Sequence, residues 1–257
     1  MKDLYGHYKQ ILGSSDQART ATSRLLNLYK EIPDTKGCME NISKKNGCGG
    51  WCCKYQNPQI LYSEYLMIWR HVHKEFTKDE IFELYRRSMV NYSLGDVTKG
   101  CVIFDHENLT CPVHKVRPLN CRTYGITPKE EFDKKFEKFK QKYKGKLGNV
   151  VKDQCDLVST CGGEEVTVED SDNWWQKIVG IESQMGINER KITDADGGTY
   201  RTIHDHILLH NMPKDIMDAL NTIIKISERD IKEEVIERCM DTIKLRLEGI
   251  DIGKPEV

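Results

Sequence analysis

Cysteine clustering constrains this chain more than any other feature of its sequence. Nine of the ten cysteines lie in the first 161 residues, and three of them fall in the glycine-rich stretch GCGGWCC at residues 47–53. A disulfide knot, a catalytic thiol and a metal site are all open from this pattern alone. The nine are Cys38, Cys48, Cys52, Cys53, Cys101, Cys111, Cys121, Cys155 and Cys161, and Cys239 is the tenth.

The N-terminal sequence and the charge balance narrow these alternatives. The opening MKDLYGHYKQIL carries charges where a signal peptide needs an unbroken apolar run, and nowhere do about eighteen apolar residues follow one another. We therefore expect a cytoplasmic protein with no membrane span, whose thiols stay reduced and serve metals or chemistry. With 39 basic and 40 acidic side chains, the net charge does not favour nucleic acid.

The spacing of the cysteines favours a metal cluster. Thiolates in glycine-rich loops can wrap a cluster and present backbone N–H groups to its sulfur atoms. Adjacent cysteines such as Cys52 and Cys53 point in different directions in most backbone conformations, so they favour two different metals. A structural zinc site uses two close pairs of cysteines, each about two to four residues apart. Only Cys48 and Cys52 form such a pair, which favours an iron–sulfur cluster over zinc.

Hydrophobic periodicity predicts a mainly α fold with a small β-hairpin, cysteine-rich loops that enclose a metal-cluster site, and a helical C-terminal tail. We expect a cysteine-rich metal-cluster domain with N-terminal helices at residues 1–165. A helical C-terminal region at residues 166–257 is expected to pack on it. The hairpin is predicted within residues 99–127, where a short apolar run meets a turn cluster and two prolines.

Capping signals predict where several helices begin. Ser63 is the expected N-cap of a helix through SEYLMIWRHVHKEF, after a short strand at residues 60–62. Thr77 and Glu80 form a capping box for the next helix. Residues 128–146 predict a basic amphipathic helix, because aromatic residues share one face and lysines cover much of the rest. The aromatic face consists of Phe132, Phe136, Phe139 and Tyr143.

Three segments of the front region resemble a known family. They are CGGWCC at residues 48–53, CVIFD at 101–105 and CPVHKVRPLNCRTY at 111–124. Together they are similar to the YkgJ-type cysteine-cluster family, whose members are described as zinc- or iron-chelating or as iron–sulfur proteins. The most specific match is the block that runs from Arg117-Pro118 to Cys121-Arg122. The resemblance covers roughly residues 38–161.

The resemblance implies a ligand set with two open points. The opening of the family usually holds another cysteine where Asn46 stands here, so either Cys38 fills that place or a ligand is missing. The closing cysteine is either Cys155 or Cys161. With Cys38 the ligands fill two four-iron four-sulfur (4Fe-4S) clusters, and without it one cluster and spare thiols result. The implied metal and cofactor ligands are Cys38, Cys48, Cys52, Cys53, Cys101, Cys111, Cys121 and Cys155, with Cys161 as the alternative.

The resulting hypothesis is an iron–sulfur protein that passes electrons to a redox partner protein, or a redox enzyme that acts on a small-molecule substrate. Arg117, Arg122 and His114 are weak catalytic candidates. The two arginines would offset the charge of a thiolate cluster or bind an anionic substrate, and equally they would tie loop carbonyls together. The alternative function is a zinc-stapled interaction module without redox chemistry, and metal storage or delivery is a third.

Other chemically suggestive residues are interpreted as structural. A histidine pair at i, i+4 without the glutamate of a His-Glu-x-x-His motif is a weak zinc signal. The lysine-rich helix predicts a solvated face, and a docking surface for an acidic redox partner or for RNA stays open. Core, turn or surface roles are expected for Cys239, Asp105, His106, His204, His206, His210, Trp174 and Trp175.

Overall fold

Helices account for most of the described part of the protein. The computed structural model describes residues 16–33, 53, 57–94, 100–123, 130, 134, 137, 166–185 and 200–248. Its α-helices are α1 (Asp16–Leu28), α2 (Tyr62–Glu75), α3 (Lys78–Leu94), α4 (Leu119–Thr123), α5 (Val168–Gln184), α6 (Ile203–Asn211), α7 (Lys214–Ile223) and α8 (Arg229–Arg246), with a 3₁₀ helix at His114–Val116. Two short strands, β1 (Gln59–Ile60) and β2 (Arg201–Thr202), complete it. The prediction of a mainly α protein is confirmed.

The small sheet joins two segments that are remote in sequence. β1 and β2 pair antiparallel, with Gln59 opposite Thr202 and Ile60 opposite Arg201. The pairing brings the residues just before α2 beside the residues just before α6, although the antiparallel strands lead into these helices at opposite ends of the sheet. The sheet therefore ties the C-terminal part of the chain to the segment that follows the cysteine-rich opening.

The hairpin predicted within residues 99–127 is not this sheet. Over residues 100–123 the structure has one isolated antiparallel bridge, between Asp105 and Thr110. The Asp105 carboxylate accepts the backbone N–H of Asn108 over 3.0 Å, so the chain closes on itself in a tight turn. The backbone that follows the bridge forms the 3₁₀ helix and α4, and it does not continue as a strand.

Capping explains the starts of α2 and α3, with one correction. α3 begins as predicted: the Thr77 N–H donates to Glu80 Oε2 over 2.6 Å, and the Glu80 N–H donates to the Thr77 hydroxyl over 3.3 Å. The expectation for α2 was wrong, because Leu61 and not Ser63 is its N-cap. The Glu64 carboxylate accepts the Leu61 N–H over 2.9 Å and so satisfies an amide at the helix start.

Two hydrophobic clusters form the described interior. The first packs α2 and α3 against residues 100–113 and against α6, α7 and α8. The second packs α1 and α5 against α2, Leu119 and Val166. Each cluster takes residues from both sides of residue 165. The division into regions 1–165 and 166–257 stays a prediction.

A stack of rings fills the centre of the first cluster. Tyr65 lies with its ring centroid 5.8 Å from that of Trp69, 5.1 Å from that of His206 and 5.2 Å from that of His210. His206 is buried, and its Nε2 donates to the carbonyl oxygen of Ile60 over 3.1 Å. The i, i+4 histidine pair is therefore part of the packing between α2 and α6, as its structural interpretation predicted.

Other structural interpretations also agree with the burial of the side chains. Cys239 belongs to the first cluster and Trp174 to the second, and both are buried. The basic helix predicted over residues 128–146 lies almost wholly outside the described residues, and its aromatic face stays a prediction. Among the helices of the described ranges, none is long and apolar enough to cross a bilayer.

Candidate metal centre

The thiols of Cys53 and Cys111 meet in the folded chain. A hydrogen bond joins the two side chains, and both are half-buried. The Cys101 N–H donates to the carbonyl oxygen of Cys53 over 2.7 Å, which holds a third cysteine-bearing segment beside the pair. Cys101 lies inside the first hydrophobic cluster, and the two paired cysteines pack against it. Segments that are remote in sequence therefore meet at one site, the corner formed by Cys53, Cys101 and Cys111.

The surroundings of Cys111 favour its thiolate form. The hydrogen bond from Cys53 lowers the pKa of the Cys111 thiol below its ordinary value against the opposing effect of burial, and the Val113 N–H and the positive charge of Arg117 act in the same direction as the bond. The thiolate is the form of cysteine that ligates metals. The surroundings of Cys111 thus favour the form that a metal ligand would need.

Arg117 supplies charge at this corner from a buried position. Its side chain is 5% exposed, and its Nη1 donates to His114 Nε2 over 3.0 Å. Because a guanidinium group only donates, His114 accepts with a neutral ring whose proton is on Nδ1. The backbone N–H of His114 donates to the carbonyl oxygen of Cys111 over 3.0 Å. The two weak catalytic candidates in this segment therefore face each other next to the thiol pair.

Arg122, the third weak candidate, ties loop carbonyls together. Its Nε donates to the carbonyl oxygen of Arg117 and its Nη2 to that of Lys115, both over 2.8 Å. The guanidinium carbon lies 4.4 Å from the ring centroid of Tyr29, within the range of a cation–π contact. The two arginines therefore fit different roles. Arg117 brings positive charge to the thiol pair, whereas Arg122 binds backbone carbonyl oxygens of the loop.

Behind the cysteine block lies a buried carboxylate, that of Glu64. It accepts hydrogen bonds from the Leu119 N–H over 2.7 Å, from the Leu61 N–H over 2.9 Å and from the Tyr29 hydroxyl. Burial raises the pKa of Glu64, while these three donors and the charge of Arg122 counteract the shift. The side chain thus joins the residue that follows α1, the start of α2 and the start of α4.

Sequence reasoning missed Glu64 and Tyr29 as parts of this region. Neither has a metal-ligating thiol, and a glutamate in the first turn of a helix is sufficiently explained by capping and by the helix dipole. The available signal was the position of Glu64 three residues after the helix boundary. Its second role depends on Leu119, which is 55 positions further along the chain.

Cys121 is the fourth predicted ligand within the described residues. It lies in α4, and its N–H donates to the carbonyl oxygen of Pro118 over 3.0 Å. Within the ranges that the structure describes, no group of three or more His, Cys, Asp or Glu side chains is arranged to hold a metal ion. The structure thus brings together two of the predicted ligands. The predicted ligands outside the described residues are Cys38, Cys48, Cys52, Cys155 and Cys161.

The donor chemistry of this corner fits a soft metal centre. Thiolates suit zinc, copper(I) and iron–sulfur clusters, and the pair Cys53 and Cys111 supplies two of them. A four-thiolate site needs two more ligands. Cys48 is the cysteine of GCGGWCC that is not adjacent to Cys53, so it is a candidate for one of them.

Comparison with known proteins bears on the same segment. No curated protein and no solved structure matched the chain. Residues 44–145 match a family model, CxxCxxCC, described as "Putative zinc- or iron-chelating domain". The matched residues include Cys48, Cys52, Cys53, Cys101, Cys111 and Cys121. The match supports metal binding by the cysteine cluster. Over residues 44–145 the chain is thus similar to the CxxCxxCC family, which agrees with the resemblance to YkgJ-type cysteine-cluster proteins.

Proposed function

We propose that this protein is an iron–sulfur protein, in which thiolates of the CxxCxxCC domain hold at least one 4Fe-4S cluster. The main observation in support is that the thiols of Cys53 and Cys111 are hydrogen-bonded to each other. The surroundings of Cys111 also favour its thiolate form. Six cysteines lie in the matched segment, and a 4Fe-4S cluster takes four of them. Cys38, Cys155 and Cys161 lie outside the match and are candidates for a second cluster.

The chemistry around the pair supports iron–sulfur over zinc. The Val113 N–H and the Arg117 charge both act on the Cys111 sulfur. Hydrogen bonds to sulfur and local net charge are the means by which proteins set the reduction potential of such clusters. A structural zinc site would use two close cysteine pairs, whereas Cys101, Cys111 and Cys121 are ten residues apart.

A bound cluster would supply one-electron transfer, and the residues of the chain would set its potential and its access. Arg117 is buried next to Cys111, so its charge is poorly screened by water. That charge favours the more negative, reduced state of a thiolate-ligated centre. We therefore propose a role in electron transfer to a redox partner protein, or in reduction or oxidation of a small-molecule substrate.

Metal and sulfide analysis of anaerobically purified protein tests the proposal. The expected result is a brown protein that contains about four iron and about four sulfide ions per chain for each cluster. A colourless protein with stoichiometric zinc and no sulfide would overturn the proposal in favour of the zinc-stapled interaction module. The family description names both metals, so the analysis must measure both in one preparation.

The number of clusters is tested by one substitution outside the matched segment. If Cys38 completes a second cluster, Cys38→Ala lowers the iron content from about eight to about four per chain. An iron content of about four in both proteins would show one cluster. The matched control is Cys239→Ala, because Cys239 is buried in the first hydrophobic cluster and far along the chain from the family segment.

A further inference from the structure

We propose that Glu64 is a positioning residue for the metal centre: its buried carboxylate holds the start of α4, the short helix that carries the predicted ligand Cys121. The inference rests on the proposed metal-binding function and assigns a role to a residue that is not itself a ligand. Glu64 is 1% exposed and accepts the Leu119 N–H over 2.7 Å. This hydrogen bond joins a carboxylate to a backbone amide, so it does not depend on a bound metal.

The cysteine-bearing helix needs such a support because it is very short. α4 has 5 residues, and Cys121 is at its centre. A single helical turn is not stable alone in water, so its position depends on tertiary contacts. Leu119 is the first residue of α4 and is 2% exposed. The bond from its N–H to Glu64 therefore satisfies a helix-start amide that has no partner within the helix.

A second set of contacts holds the same carboxylate in place. The Tyr29 hydroxyl donates to Glu64, and the ring of Tyr29 lies under the Arg122 guanidinium. Arg122 also donates to the carbonyl oxygens of Lys115 and Arg117. A buried carboxylate needs both donors and a nearby cation to offset its desolvation. The cation here belongs to the cysteine block, so the block and Glu64 stabilise each other.

Interactions around metal ligands tune a site even when the residues involved do not touch the metal. Loss of a hydrogen bond that orients a ligand typically costs about 10- to 100-fold in metal affinity. Glu64 acts one step further back, through the backbone that carries Cys121. An effect near the lower end of that range is therefore expected.

The chain offers a matched control for this role. Glu182 is 0% exposed, and it accepts the backbone N–H of Ser63 at the start of α2. Both glutamates are thus buried carboxylates that bond the N-terminal backbone of the same helix. The two differ in their other contacts: Glu64 also accepts the Leu119 N–H of α4, whereas Glu182 belongs to α5. Substitutions at Glu182 report on loss of a buried carboxylate in general.

The experiment compares Glu64→Ala with Glu182→Ala in the full-length chain. The first measurement is release of the bound metal, iron or zinc as the wild type contains it, to a competing chelator. We expect Glu64→Ala to weaken metal retention about 10-fold, and Glu182→Ala to leave it within about 2-fold. Equal losses in the two variants, or no loss in Glu64→Ala, would overturn the inference.

The second measurement needs no metal, so it separates this inference from the proposed function. Amide hydrogen exchange of residues 119–123 in the metal-free protein is expected to become faster in Glu64→Ala and to stay unchanged in Glu182→Ala. A wild type without any metal would overturn the proposed function, and the exchange comparison would still decide whether Glu64 positions α4. Unchanged exchange in Glu64→Ala would overturn the positioning role.

Glutamine variants keep the test decisive if the alanine variants do not fold. In Glu64→Gln the amide oxygen can still accept from Leu119 and Tyr29, but the amide nitrogen meets the Leu61 N–H as a second donor. We expect metal retention to fall by about 3-fold, less than in Glu64→Ala, with Glu182→Gln unchanged. If Glu64→Gln loses as much metal as Glu182→Gln, the positioning role is wrong.

Discussion

The backbone N–H of Cys101 donates a 2.7 Å hydrogen bond to the carbonyl oxygen of Cys53. This bond places Cys101, the first residue of the buried run at 101–104, beside the last cysteine of GCGGWCC. The Cys111 thiol reaches the same cysteine through its side chain. One residue, Cys53, thus contacts two other cysteine segments, by its backbone and by its sulfur atom.

Substitution of the paired cysteines should remove metal. We expect Cys111→Ala to lose more than half of the metal bound by the wild type, because a cluster that lacks one of its ligands is exposed to solvent and is released. Metal content per chain by elemental analysis is the measurement. Cys239→Ala is the control, since Cys239 is buried on α8 in the hydrophobic core. Equal metal loss in both variants would contradict the assignment of the pair.

Replacement of Arg122 by lysine should destabilise the protein despite the conserved charge. Lysine cannot donate to two carbonyl oxygens in a fixed fork or stack flat on Tyr29. We expect Arg122→Lys to lower the free energy of unfolding by about 1–3 kcal/mol. The measurement is the urea unfolding midpoint at constant slope.

The control for Arg122 is an arginine in an exposed ion pair. Arg238 bonds Glu234 one helical turn away, with side chains that are 75% and 62% exposed. Arg238→Lys is therefore expected to change the free energy of unfolding by less than about 0.5 kcal/mol. If the two lysine variants lose the same stability, the geometry around Arg122 contributes nothing beyond its charge.

Stability should depend on pH through His73. Burial lowers the pKa of His73 from 6.5 to about 4, so the folded protein keeps this ring neutral where the unfolded chain protonates it. The unfolded state then binds more protons between these two values, and stability falls as the pH falls through that window. From pH 7 to pH 5 the expected loss from this residue is about 2 kcal/mol.

A variant with a ring that does not titrate isolates this contribution. His73→Phe keeps an aromatic side chain next to Trp69, whose ring centroid lies 5.2 Å from that of His73. The free energy of unfolding of His73→Phe should change about 2 kcal/mol less than that of the wild type between pH 7 and pH 5. Parallel pH profiles for the two proteins would show that His73 is protonated equally in the folded and unfolded states.

The helix α1 should contribute to the stability of the protein although it precedes the matched family segment. Leu25 is 0% exposed in the second hydrophobic cluster, so Leu25→Ala leaves a cavity and is expected to cost about 2–5 kcal/mol of unfolding free energy. Leu245→Ala is the control, because Leu245 is 70% exposed and a change of less than about 0.5 kcal/mol is expected. Urea unfolding of the two variants measures the difference. A small effect at Leu25 would mean that α1 is not packed as described.

Local patterns predicted the helices well, and they failed where a contact came from elsewhere in the chain. The Thr77 and Glu80 capping box was found because both partners lie within one turn. The N-cap of α2 was misplaced at Ser63, because a serine before an apolar run is the stronger local signal. Of the hairpin predicted within residues 99–127, the described residues form only the bridge between Asp105 and Thr110, whereas β1 pairs with β2 from a remote part of the chain.

The sequence by itself determined the helical character of the chain and the residues able to ligate a metal. Period 3.6 in apolar residues and the chemistry of thiols are both local properties. Only the tertiary structure decided that Cys53 meets Cys111, that Arg117 supplies charge while Arg122 ties carbonyls, and that Glu64 supports the start of α4. These pairings depend on the path of the backbone between remote segments, and the packing of the two hydrophobic clusters sets that path.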